Sequence, residues 1–195
     1  MSGIQEDKTN EFENPDATQK LIRLERVDGL NRRAVAVQHD DFIVPLKKEI
    51  SEGIWKLSGK FDKCDALGGF IPGSVGIVKA SHKVPVPCDT AAEPNMDSML
   101  EFHGRGVIVH KHQFNPGNGQ FNNNQLIELE LNLVSNTLHL FIDGKQQPNF
   151  VQGIKEPVKF YCFICDEKSS FTITSLKKLP APTAKKLANQ KAVNW

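Results

Sequence analysis

The chain has 195 residues and a formal net charge of +1, and this length suits a single domain with an ordinary hydrophobic core. The near-zero charge and an aromatic share of 8% argue against nucleic-acid binding, which needs a basic surface and stacking side chains. No apolar run approaches the ~20 residues that cross a bilayer, so we expect no membrane partner.

The first residues and the cysteines indicate the compartment. Residues 1–14 carry acidic side chains where a signal peptide has a basic and then an apolar run. Without an export signal, cysteines are expected to be reduced thiols, and this chain has four of them: Cys64, Cys88, Cys162 and Cys165. We therefore predict an intracellular, cytoplasmic protein.

The N-terminal part of the chain predicts a tail followed by short strands. Residues 1–20 contain five acidic residues, two lysines and few apolar side chains, which predicts an acidic, solvated tail. Residues 21–27 alternate enough for an edge strand. Short strands are also predicted over 34–38 and 42–46, and Pro45 places the second of these at a sheet edge or a strand end.

Two further strands are predicted before the first long loop. In residues 53–61 the apolar side chains alternate with polar ones, so we expect Trp55 to be buried in the core. Residues 67–78 predict a strand interrupted by glycine and proline, with its last five residues in the centre of a sheet. Gly73 and Gly76 indicate a close backbone approach or a bulge there.

Two loops frame a predicted hairpin in the middle of the chain. Residues 79–98 contain three prolines and form the longest irregular stretch, and a loop of this length in a compact domain is usually functional or mobile. Residues 99–103 and 107–110 predict a hairpin. In residues 114–124 a proline and two glycines exclude a long strand, and the asparagines can bind the backbone of a partner.

The clearest pattern in the chain lies in residues 125–144. Apolar side chains recur at every second position, which places them on one face of a strand. The polar pair Ser135-Asn136 suits a turn in the middle, and Asp143-Gly144 favours a tight turn after the second strand. A hairpin is predicted whose inner face is formed by Ile127, Leu129, Leu131, Leu133, Leu138, Leu140 and Ile142.

The C-terminal part predicts two more strands and a second tail. Residues 158–164 are apolar on both faces, so we place this strand centrally, and 171–176 close the domain. Residues 179–195 contain lysines and no acid, which predicts a flexible basic tail. Thr183 is a candidate cap for a short helix over 184–193.

Several segments together resemble the SPRY domain family. They are 53–57, 73–78, 124–145, 158–164 and 171–173, and their order and spacing extend the resemblance over about residues 30–178. The resemblance implies a concanavalin-like jelly roll, which is an all-β sandwich of two antiparallel sheets. It also implies that the domain, placed at 21–178 between the two tails, binds a partner protein through its loops and catalyses no reaction.

Two motifs raise the question of a metal or redox site. His110 and His112 would point the same way on one strand, and the spacing from Gly104 resembles the start of a cupin motif, but Pro116 and Gly117 stand where its glutamate is expected. Cys162 and Cys165 form a C-x-x-C pattern, yet within a strand this spacing sends the two sulfurs to opposite faces. We predict no metal and no cofactor.

We expect a protein-interaction module whose loops, chiefly 79–98 and 110–124, form a shallow site for a peptide or protein. The candidate contacts are Arg105, His110, His112, Phe114, Phe121 and Asn122. One alternative is a structural component of a large intracellular assembly, for example a cytoskeletal one, because the two tails have opposite charge and neighbours can hold them. A metal-dependent enzyme using the two histidines and a lectin-like carbohydrate-binding domain are further alternatives.

Overall fold

The structure is a computed structural model that describes residues 3–65 and 68–195. Met1 and Ser2 of the predicted tail, and Leu67 at the start of the predicted strand over 67–78, lie outside these ranges. Within them the chain forms strands, one short 3₁₀ helix (Asn95–Asp97) and loops, and there is no helix of the length and hydropathy needed to span a bilayer.

The described strands are, in chain order, β1 (Gln5–Glu6), β2 (Ile22–Val27), β3 (Leu30–Ala36), β4 (Phe42–Pro45), β5 (Ile54–Asp62), β6 (Ser74–Lys79), β7 (Met99–His103), β8 (Val107–His110), β9 (Gln113–Pro116), β10 (Ile127–Asn132), β11 (Thr137–Ile142), β12 (Lys145–Gln146), β13 (Asn149–Gln152), β14 (Val158–Ile164), β15 (Ser170–Leu179) and β16 (Lys191–Asn194). Ten of them form one sheet, in the order β16-β13-β11-β10-β5-β15-β3-β2 with β1 beside β15 and β12 beside β11. The other six form a second sheet in the order β4-β14-β6-β7-β8-β9.

The two sheets enclose one hydrophobic core, which confirms the predicted all-β sandwich. In the central hairpin β10 pairs antiparallel with β11, with Leu129 opposite Leu140 and Leu131 opposite Leu138. All four leucines are buried. The period-two pattern therefore predicted both the strands and the face that they bury.

Trp55 departs from its predicted full burial. Its ring is half-buried at the margin of the core, and its Nε1 donates to the carbonyl oxygen of Glu52 at 3.1 Å. The ammonium group of Lys48 lies 4.6 Å from the ring centroid. Trp55 thus packs one side against the sandwich and presents the other to cations.

The segment before Leu21, predicted to be solvated, packs against the sandwich. β1 pairs with the end of β15, and Phe12 is fully buried in the core. The Phe12 amide donates a hydrogen bond to the Asn31 carbonyl oxygen at 2.9 Å, so the backbone of this segment also bonds to the sandwich outside β1. The buried Phe12 ring, backbone hydrogen bonds and ion pairs such as that of Asp7 with Lys48 hold this segment, and its acidic composition alone did not predict these contacts.

The C-terminal segment also lies on the sandwich, and the predicted helix over 184–193 does not form. β16 pairs with β13, in parallel orientation, at the edge of the larger sheet. The fully buried carboxylate of Glu130 accepts hydrogen bonds from the backbone amides of Thr183 and Ala184, each at 2.9 Å. These long-range contacts replace the local capping that the sequence suggested, and they correct the interpretation of this segment as a solvated end.

Candidate functional site

A row of five residues crosses the outer face of the six-stranded sheet. Register places Tyr161 opposite Gly76, Gly76 opposite Glu101, Glu101 opposite Val109, and Val109 opposite Phe114. The neighbours of these residues along each strand, such as Ile77, Leu100 and Ile108, belong to the core between the sheets. Alternation therefore turns the row away from the core.

The loop over residues 80–98 covers part of this outer face. Cys88 of the loop packs with Ile43, Val78, Met99 and Tyr161 in a second, smaller hydrophobic cluster. The long loop that the sequence marked as a recognition candidate is thus anchored to the sheet by buried apolar contacts.

A small cavity of about 30 Å³ lies between the loop and the row. Thr90, Ala91 and Met96 form its loop side, and Glu101 and Val109 lie on the sheet side. The row is closely packed at Gly76, where a Cβ atom would lie 2.0 Å from the Leu100 carbonyl oxygen and 2.9 Å from the Tyr161 ring. We call this space the Glu101 cavity.

Glu101 is the main charged group inside the cavity. Its side chain belongs to a residue that is only 7% exposed, and Ser74 Oγ donates to its Oε2 at 2.6 Å. Burial raises the pKa of Glu101 to about 6, while the Ser74 hydrogen bond and the charge of Arg105 act in the opposite direction. The carboxylate is therefore mostly ionised at pH 7.

Phe114 forms the exposed rim of the same surface. Its ring is 60% exposed on the edge strand β9, and the guanidinium carbon of Arg105 lies 5.0 Å from the ring centroid. A cation over an aromatic face at this distance is attractive. The pair presents an apolar ring and a positive charge together to solvent.

The two histidines do not share a strand face. His110 ends β8, while Lys111 and His112 have φ values of +48° and +59° and form the turn to β9. His110 is 5% exposed, its Nδ1 lies 2.8 Å from the Met99 carbonyl oxygen, and its ring stacks on Trp195 at 5.1 Å. Burial lowers its pKa. His112 is exposed at the cavity rim. Among the described residues, no group of three side chains is arranged to hold a metal ion.

Phe121 and Asn122, both predicted as partner contacts, make contacts with other residues of this chain. Phe121 is 0% exposed and its ring stacks on Phe61 with centroids 5.9 Å apart, so a partner cannot reach it. The Asn122 side chain donates to the Gly69 carbonyl at 2.6 Å and ties two loops together. Arg105, His112 and Phe114 meet on one surface, with His110 buried beside it.

The four cysteines are free, buried thiols. Burial raises the pKa of Cys64, Cys88 and Cys165 to about 12 and that of Cys162 well above its usual range. Cys162 lies in the core within β14, whereas Cys165 follows the end of that strand. Thiols with raised pKa values are poor nucleophiles at neutral pH.

Sequence reasoning missed Glu101. The segment Met99–His103 reads MLEFH, and one acidic residue among three apolar ones was the available signal. Alternation also placed Glu101 on the face opposite Leu100 and Phe102. The loop residues Thr90 and Met96 carried no such signal, because only tertiary structure brings them to the sheet.

Solved structures show which fold this is. The SPRY domain of human HERC1 is similar with a TM-score of 0.65 and 10% identity, over 84% of this chain and 97% of that one. The TRIM65 PSpry domain is similar with a TM-score of 0.61 and 13% identity, over 84% of this chain and 90% of that one. The chain has the SPRY fold. The stonustoxin structure is also similar, with a TM-score of 0.55 and 10% identity over 88% of this chain and 27% of that one.

No protein-family model and no curated protein sequence matches this chain. The structural likeness at 10–13% identity is therefore a likeness of fold, and it carries no binding residue from one protein to the other.

Proposed function

We propose that this SPRY-like domain is a non-enzymatic protein-interaction module that binds a peptide or protein surface at the outer face of β7–β9. The observation that carries the proposal is the exposed Phe114 ring, held under the Arg105 guanidinium beside a cavity that a long loop covers. Exposed aromatic and arginine side chains are the usual anchors of protein interfaces. The similar HERC1 and TRIM65 SPRY domains share this fold and support a module of this class.

The proposed contacts are Arg105, His112 and Phe114, with the loop over 89–96 forming the second side. Phe114 lies on a sheet edge, where an extended partner segment has access to the side chain from solvent. His110 supports this surface from below through its bond to the Met99 carbonyl. A cytoplasmic location stays a prediction from the sequence.

The test compares two exposed apolar residues. Phe114→Ala removes the proposed anchor, whereas Val134→Ala removes a side chain that is 77% exposed in the turn between β10 and β11. Each full-length variant is used to capture proteins from lysate, and the captured proteins are quantified by mass spectrometry. We expect one or more proteins to be retained by the wild type and by Val134→Ala and lost by Phe114→Ala.

Equal retention by all three proteins would contradict the proposed surface. Thermal unfolding provides the necessary control, because a large decrease in the midpoint for Phe114→Ala would show that the ring is structural instead.

The assembly alternative has no specific observation in its favour. Both ends of the chain are held by its own sandwich, because β1 pairs with β15 and β16 pairs with β13, so no neighbouring molecule is needed to hold them.

A further inference from the structure

Glu101 has one oxygen with a hydrogen bond and one without. Oε2 accepts the Ser74 hydroxyl, while Oε1 accepts no hydrogen bond from the described residues, and the residue lines the Glu101 cavity. A carboxylate that is nine-tenths buried is costly unless charged or hydrogen-bonding partners surround it. Oε1 is therefore the oxygen of this carboxylate that is left to accept a hydrogen bond from a bound group.

The cavity around this oxygen is narrow and mostly apolar. Met96, Met99 and Val109 line it, and Phe114 stands at its rim. A volume of about 30 Å³ has room for about one or two water-sized groups. An ammonium group and the methylene beside it match this size, whereas a guanidinium group has four heavy atoms and exceeds it.

The surrounding charges leave the carboxylate dominant inside the cavity. Lys111 and His112 line the rim and are exposed, and Arg105 is exposed beside Phe114. Water and salt screen the repulsion that these groups exert on an incoming cation. The charge of Asp41 also acts on Glu101, with the same sign as the carboxylate. Interaction with Glu101 takes place in a less polar environment and is stronger.

We propose that the Glu101 cavity binds the ammonium group of a lysine side chain of the partner, with the alkyl stem against the apolar walls. This assignment rests on the proposed interaction surface and names the residue type that enters it. Ser74 positions the carboxylate, and Glu101 Oε1 accepts the ammonium hydrogen bond.

The probe for this proposal is n-butylammonium, which reproduces the end of a lysine side chain. Amide chemical shifts of the ¹⁵N-labelled full chain are followed during titration with n-butylammonium chloride at constant ionic strength. n-Butanol has the same length without the charge and serves as the neutral control. We expect saturable shifts at Met99, Glu101 and Val109 with n-butylammonium and at least about tenfold weaker binding of n-butanol.

Two variants separate charge from shape. Glu101→Gln keeps the size of the side chain and removes its charge, and we expect it to weaken n-butylammonium binding at least about tenfold. Ala91→Leu fills the loop side of the cavity from an exposed position and should abolish binding without altering the carboxylate. If Glu101→Gln does not fold, Ala91→Leu still tests the proposal.

Saturable shifts that are lost in these variants would support the lysine site. No saturable shift in the wild type, or equal binding by wild type and Glu101→Gln, would overturn it. Either negative result leaves the comparison of Phe114→Ala with Val134→Ala intact, so failure of the lysine site and failure of the interaction surface are distinguishable.

Discussion

The two faces of the six-stranded sheet are built from the same strands and differ in almost every property. The inner face carries Val75, Leu100, Phe102 and Ile108, all in the core between the sheets. One residue further along the strands, the outer face carries Gly76, Glu101 and Val109, and Phe114 from the edge strand beside them. A shift of one residue separates a packed interior from a surface with a buried carboxylate and an exposed ring. The difference places structural residues and proposed binding residues on opposite sides of one sheet.

The largest effect is expected on the inner face. Phe102→Ala removes a fully buried ring from the core and should lower the free energy of unfolding by about 3–5 kcal/mol. Chemical denaturation measures this loss directly. A loss below about 1 kcal/mol would mean that the core does not depend on this face as the packing indicates.

An intermediate effect is expected from Glu101, and it depends on pH. The pKa of Glu101 in the folded protein is about 6, above the ordinary value of 4.5. Between these two pH values the folded state holds a proton that the unfolded state has released. Stability should therefore fall as the pH rises through this window, by about 2 kcal/mol for this group.

Glu101→Gln isolates this contribution, because it removes only the one titration. Burial raises the pKa of Asp7, but hydrogen bonds that include those from Thr9 outweigh it, and hydrogen bonds that include those from Thr18 act on Asp16, so both pKa values are lowered to about 2. Both groups titrate in both proteins and cancel. Denaturation of both proteins at pH 4 and pH 7 should show the variant gaining stability relative to the wild type at the higher pH. A difference that does not change with pH would contradict the buried, ionised carboxylate.

The smallest effect on stability is expected at the rim. Phe114→Ala removes an exposed ring whose main intramolecular contact is the Arg105 guanidinium, so the free energy of unfolding should change by no more than about 0.5 kcal/mol. Thermal and chemical unfolding measure it. A loss as large as that of Phe102→Ala would place Phe114 among the core residues.

The regular part of the fold could be predicted from the sequence because local periodicity carries it. The leucines of β10 and β11 alternate over two complete strands, and their pairing follows from the turn between them. The polar loop over 114–124 had no such period. Phe114 and Phe121 are seven positions apart, and both have polar neighbours in the sequence. Only the Phe121 side chain is buried, and its backbone amide donates a hydrogen bond to the Gly104 carbonyl oxygen.

The same limit applies to the ends of the chain and to the candidate site. Thr183 looked like a helix cap, whereas its backbone amide binds Glu130, 53 residues away. Glu101 meets Thr90 and Met96 only after the loop has folded over the sheet. Contacts between distant segments decide these features, and composition or spacing within one segment does not report them.

A photocrosslinking residue at position 114 tests the interaction surface most directly. The phenyl ring of Phe114 is replaced by benzoylphenylalanine in the full chain, and the same residue at the exposed position of Val134 serves as the control. On irradiation in lysate, we predict a discrete covalent adduct from position 114 that position 134 does not give. Adducts identical at the two positions, or none from position 114, would contradict the assignment of the outer face of β7–β9 as the site where this domain meets its partner.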